Sequence, residues 1–130
     1  MPTAIGAGFH FCYGDSGNKH FKEPDDMGLL VKLANQVCDQ AERSIDWIHM
    51  PVPIDRTDAE YFRPLASLDQ QNLGELFLGL LHEQDGVEGA NRRIVSAQEF
   101  IDDFGLATEC GLGRRSPEVV HELLELHASI

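Results

Sequence analysis

Four times along this chain an apolar run of strand length ends in or beside a histidine or a cysteine and gives way to a segment with helical spacing. The runs cover roughly Ile5 to Tyr13, Ile45 to Met50, Leu76 to His82 and Phe104 to Cys110. Most are too continuously apolar for a sheet with one wet face, which is the pattern of parallel strands covered by helices. A βαβαβαβα order with short connections implies right-handed crossovers and an α/β fold.

The segments between the strands supply the helices. "EPDDMG" opens the first: Pro24 suits a first helical position, and Asp25 and Asp26 favour the positive end of the helix dipole. Leu29, Leu30, Leu33 and Val37 form one stripe, the helix is expected to run to about Arg43, and Cys38 lies within it as a small packing side chain. The second, about Ala59 to Leu68, is kinked or cut by Pro64. The third runs from about Glu88 to Ile101 with Ile94, Val95, Ala97 and Phe100 or Ile101 inward. The last starts from Ser116 as N-cap with Pro117 at N1 and Glu118 complementing the dipole, and presents Val119, Val120, Leu123, Leu124 and Leu126 on a broad apolar face.

A complete (β/α)8 barrel takes ~250 residues, so a chain of 130 supplies four of its eight units. The reading is one domain over residues 1–130. Its four consecutive βα units form either a small open sheet or half of a TIM barrel completed elsewhere. Met1 directly precedes the first strand, which leads to the expectation of a C-terminal half. In that case the outer strand edges need a partner, either a second copy in a homo-oligomer or another chain that closes the barrel.

Composition narrows the partners. Acidic side chains outnumber basic ones by 22 to 10, and the formal charge of -12 repels phosphate backbones and anionic lipid, so neither nucleic acid nor a membrane surface is expected. No apolar run approaches the ~20 residues of a membrane helix, and "MPTAIGAGF" lacks the basic flank and apolar segment of a signal peptide, so a cytoplasmic location is expected. The three cysteines are odd in number and widely spaced, which fits reduced thiols better than a disulfide framework.

In parallel α/β folds the ligand sits at the carboxyl ends of the strands. His10 and Cys12 close the first strand, His49 the second, His82 the third and Cys110 the fourth, so each delivers an imidazole or a thiol to one rim. Residues i and i+2 of a strand share a face, so His10 and Cys12 reach the same cavity. With Cys110 they make one nitrogen and two sulfurs, a set suited to Zn2+ with a fourth position open. The competing reading of the same residues is a buried thiol and a hydrogen-bonded histidine. "GLGRR" places Arg114 and Arg115 at the start of the last helix, as a phosphate or carboxylate clamp or as solvated arginines after a glycine turn. "GDSG" at 14–17 has the letters of a serine-protease signature in a pattern that denies it that fold. Asp15, with Lys19 and His20, is assigned to a loop over the rim that contacts substrate.

"HFCYGD" together with "ATECGLGRR" resembles the zinc-bearing C-terminal barrel of cobalamin-independent methionine synthase, and more closely the short members of the uroporphyrinogen decarboxylase/methionine synthase-like superfamily, along most of the chain. The resemblance implies zinc ligands at His10, Cys12 and Cys110, the last within a Cys-Gly-Leu-x-x-Arg pattern kept as Cys110, Gly111, Leu112 and Arg115. It implies a proton-transfer role for His82, which stands in "LGLLH" where the synthases have a histidine. Where they carry a glutamate ligand this chain has Pro51, which leaves His49 as fourth ligand or substrate contact. The implied activity is zinc-dependent methyl or alkyl transfer from a methyl donor to a small-molecule thiol, with Arg114 or Arg115 clamping an anion. Two alternatives stand beside it: a non-catalytic or partner-dependent half-barrel, and a metal-free decarboxylase-like enzyme of the same superfamily.

Overall fold

The computed structural model describes residues 2–14 and 23–130. Strands β1 (Gly8–His10), β2 (Ile45–Pro51), β3 (Leu73–Leu81) and β4 (Gly105–Thr108) alternate with helices α1 (Gly28–Gln40), α2 (Ala59–Phe62), α3 (Gly86–Gln98) and α4 (Pro117–Ser129), with a 3-10 turn at Arg63–Ser67. All adjacent strands pair in parallel, in the order β1-β2-β3-β4. The α/β reading and its four βα units are therefore the observed architecture. No helix among the described residues is long and apolar enough to cross a membrane.

Sequential strand order has a geometric consequence. Each right-handed crossover returns on the same side, so the helices cover one face of the sheet. Ile48, Met50, Leu76, Leu78 and Leu80 are buried with Leu30, Val31, Tyr61, Phe62, Ala97 and Leu123 in one core. The opposite face carries His10, Trp47, His49, Glu75, Phe77 and Ala107 around an open basin of about 620 Å³. The continuous apolar runs predict burial on both faces; here Trp47 is 40% exposed and Glu75 is exposed. Trp47 and Phe77 lie over Gly8 and Gly105 of the neighbouring strands, the places where a missing side chain leaves room for a ring.

The helices differ from expectation in their rotation and ends. α1 starts at Gly28, after an Asp26 carboxylate that accepts the Gly28 N–H at 2.7 Å, so Pro24 and Asp25 lie ahead of the helix and no acidic residue occupies its first turn. Its buried side is Leu30, Val31, Ala34 and Cys38, whereas Leu29 is 55% exposed. Small Ala34 and Cys38 let the helix approach the sheet, which turns the larger Leu29 and Leu33 outward. α1 ends at Gln40, and Arg43 instead donates to the Pro2 and Ile5 carbonyls and to Asp46, pinning the chain ahead of β1. α3 begins two residues early, at Gly86, and buries Ala90, Arg93, Ser96 and Ala97 while Val95 is 62% exposed. Pro64 cuts the second helix as expected, leaving one α-turn and a 3-10 turn. α4 starts as expected, with Ser116 Oγ accepting the Val119 N–H and Pro117 as the first helical residue, but its buried side is narrower: Leu123 and Leu126 are buried, Val119 and Val120 are half-buried, and Leu124 is 57% exposed.

Candidate metal centre

Four neighbouring parallel strands laid flat would hold the first and last ~14 Å apart, at about 4.8 Å per spacing. Yet Cys12, two residues past β1, and Cys110, two residues past β4, have sulfurs 3.6 Å apart. The sheet and the loops beyond it must curl to bring its two edges together at the carboxyl end. Three features hold that curl. The Phe11 N–H donates to the His49 carbonyl at 2.9 Å, continuing the β1–β2 ladder past the end of β1. Tyr13 then reaches into the core, where its hydroxyl meets that of Tyr61 at 2.7 Å. Tyr61 donates its proton to the Pro51 carbonyl, so Tyr13 is the donor between the two tyrosines. On the other edge Thr108 Oγ1 donates to the Cys110 carbonyl at 2.8 Å and shapes the turn that presents the thiol.

His10 joins the two thiols: one ligand atom from each of His10, Cys12 and Cys110 falls within 4.8 Å of the others, with His10 and Cys12 exposed and Cys110 half-buried. This cluster can hold a metal ion. A tetrahedral site with Zn–S bonds of ~2.3 Å places its sulfurs roughly 3.8 Å apart, so the 3.6 Å separation fits one edge of such a site.

His49 stands behind the cluster. Its Nε2 lies 2.9 Å from the Thr108 carbonyl and its Nδ1 lies 2.8 Å from His10 Nδ1. A carbonyl can only accept, so the His49 proton is on Nε2. Burial, aided by neighbouring His10, pushes this ring below its ordinary pKa, so near neutral pH it carries that one proton and its Nδ1 is an acceptor. His10 must then donate from Nδ1, which leaves its Nε2 lone pair for a ligand. A second group that fixes the tautomer of a ligating imidazole in this way is the usual companion of a metal-binding histidine. The bond from β2 to β4 passes over β3 at Gly79, where a Cβ would stand 2.8 Å from His49 Nε2 and 2.7 Å from the Thr108 oxygen. Only glycine leaves that path open.

The remaining rim residues are placed differently. His82 is 3% exposed and lines no part of the basin; its Nε2 donates to the Val52 carbonyl at 2.8 Å. Glu109 lies 3.7 Å from its Nδ1, an ion pair only with a protonated ring. Burial outweighs the hydrogen bond to the Val52 carbonyl and pulls the pKa down to about 4, so the ring is neutral at physiological pH. Arg115 spends its charge on Glu83 at 2.7 Å, joining the loops after β3 and β4, whereas Arg114 is exposed. Asp15, Lys19 and His20 lie outside the described residues.

Sequence reasoning missed Arg93. It is fully buried on α3, binds Asp85 through two bonds of 2.7 and 2.8 Å, and donates to the Leu80 and Ile54 carbonyls. It ties the ends of β2 and β3 together directly behind the rim. An arginine at an inward position of α3 was the available signal, masked by the adjacent Arg92 in the same helix. No protein-family model, no curated protein and no solved structure matches the chain.

Proposed function

We propose that His10, Cys12 and Cys110 bind Zn2+ and that the protein transfers a methyl or alkyl group to a small-molecule thiol. The observation that carries this reading is the three-ligand cluster backed by His49, whose hydrogen bonds prepare a single lone pair on His10. One nitrogen and two sulfurs suit zinc, and three protein ligands leave a coordination position for an exchangeable group, the arrangement of catalytic rather than structural zinc. Bound zinc would keep an incoming thiol as its thiolate near neutral pH. His10, Cys12 and Cys110 hold the ion, His49 orients His10, and the basin walled by Trp47 and Phe77 receives the organic part of the substrates. The buried, neutral ring of His82 supports a positioning role at the β2–β3 junction rather than proton delivery into the basin. Arg114, at the exposed start of the last helix, would contact an anionic group on a substrate.

The test is thioether formation. Zinc-loaded protein is incubated with a panel of small thiols and methyl donors, and methylated thiol is measured by mass spectrometry. The expected result is product that disappears with Cys110→Ser and with strong chelation. Methylated thiol that persists through both would contradict the zinc-dependent transfer; the metal-free decarboxylase-like alternative is instead tested by carbon dioxide release from acidic substrates in the presence of the chelator.

A second reading is favoured by the sheet face and the outer edges of β1 and β4, which no helix or strand among the described residues covers or pairs. Four parallel units in sequential order, with edges drawn together at one end, are consistent with half of a (β/α)8 barrel. In this reading further strands, from a second copy or another chain, complete the barrel and wall the basin. The measurement is solution mass and zinc content with and without such strands; a monomer with full activity would remove it.

A further inference from the structure

We infer that Cys12 and Cys110 form a reversible disulfide, making the centre a dithiol switch in which metal binding and oxidation exclude each other. The disulfide stands on the contact of the two sulfurs, and its exclusion of metal rests on the zinc reading proposed above.

The sulfurs are 3.6 Å apart, in van der Waals contact, although the residues are 98 positions apart in sequence. A disulfide requires ~2.05 Å between sulfurs, so closure needs a movement of about 1.5 Å, within reach of side-chain rotation. The backbone on both sides is held: Phe11 to His49 and Tyr13 to Tyr61 flank Cys12, and Thr108 fixes the turn at Cys110. Both thiols are open to small oxidants, Cys12 being exposed and Cys110 half-buried. Cys38, the third thiol, is buried on α1, where desolvation raises its pKa and disfavours the thiolate.

The oxidant is a peroxide. One thiol, as thiolate, attacks a peroxide oxygen, becomes a sulfenic acid and releases one water from hydrogen peroxide. The second thiol attacks that sulfur, the S–O bond breaks, and a second water leaves. Two thiols thus give up two protons and two electrons, and hydrogen peroxide takes both to become two waters. The disulfide has no thiolate to offer a metal, and a metal-bound pair has no free thiolate to start the reaction, which is why the two states compete.

The experiment uses the full chain, stripped of metal with a chelator and treated with a small excess of hydrogen peroxide. Free thiols are counted, linked peptides are mapped without reduction, and zinc uptake is measured before oxidation, after it, and after a dithiol reductant. The expected result is a fall from three free thiols to one, a linked peptide joining Cys12 to Cys110, loss of zinc uptake, and its return on reduction. Retention of all three thiols, pairing through Cys38, or sulfinic acids at Cys12 and Cys110 without a linked peptide would each overturn the inference. The arms also separate the two claims. A protein that links Cys12 to Cys110 yet takes up no zinc when reduced contradicts the zinc reading and leaves the thiol pair standing. A protein that binds zinc but never forms the link contradicts the switch alone.

Discussion

The smallest side chain near the centre carries one of its strictest requirements. A Cβ at position 79 would fall within 3 Å of His49 Nε2 and of the Thr108 carbonyl that His49 binds. Gly79→Ala is therefore expected to displace His49 and weaken zinc binding by about 10- to 100-fold, the usual effect of losing a group that orients a ligand. His49→Ala should do the same with the three ligands intact, as measured by competition with a chromogenic chelator. If either variant bound zinc like the parent, His49 would have no orienting role. Arg93 belongs to stability. Replacing it with Met leaves the Leu80 and Ile54 carbonyls and the Asp85 carboxylate without their donor, and should cost about 3 kcal/mol or more in denaturant unfolding. The gathering of His10, Cys12 and Cys110 was legible in the sequence because strand ends are where a parallel fold collects reactive groups. The tautomer relay and Gly79 were not, since they depend on bonds between β2 and β4 that no local spacing encodes.

At the scale of elements, the end of β3 is a neutral, desolvated junction. His82 in the folded protein has its pKa pulled to about 4, first by burial, whereas in the unfolded chain it titrates near ~6.5. The unfolded state therefore takes up the proton first. The stability gained from this group is full above pH ~6.5, is lost as pH falls towards 4, and changes no further below, a loss on the order of 3 kcal/mol at most. Asp85, held below the ordinary carboxylate range by its bonds to Arg93, adds a separate loss below pH ~4. Unfolding free energies measured from pH 7.5 to 4 should show the first slope, and His82→Phe should reduce it, leaving the share that buried His49 contributes in the same direction. A parent protein with no slope in that window would mean a solvated ring. Helix existence was readable from period and capping, as at Ser116 and Pro117. Helix rotation was not, because Leu30, Val31, Ala34 and Cys38 fit the helical period as well as Leu29, Leu33 and Val37 do, and only contact with the sheet selects between the two stripes.

For the whole molecule, the sequential strand order sets one covered and one open face, and the curl that brings Cys12 to Cys110 makes the open face concave. Parallel order was legible from the fourfold alternation; the bare face was not, because the apolar runs describe strands buried on both sides. Trp47, the one tryptophan of the chain, stands on that face at 40% exposure and reports its covering. Completion of the barrel by further strands should shift its emission to shorter wavelength; an unchanged spectrum on association would place the contact elsewhere. The central claim is that His10, Cys12 and Cys110 form one metal centre, and the most direct test is zinc per chain, by elemental mass spectrometry, in the reduced protein and in a Cys12→Ser/Cys110→Ser double variant. The account predicts about one zinc per chain in the parent and almost none in a folded variant, by the three-ligand stoichiometry of such sites. No zinc in the parent, or equal zinc in both, would contradict it.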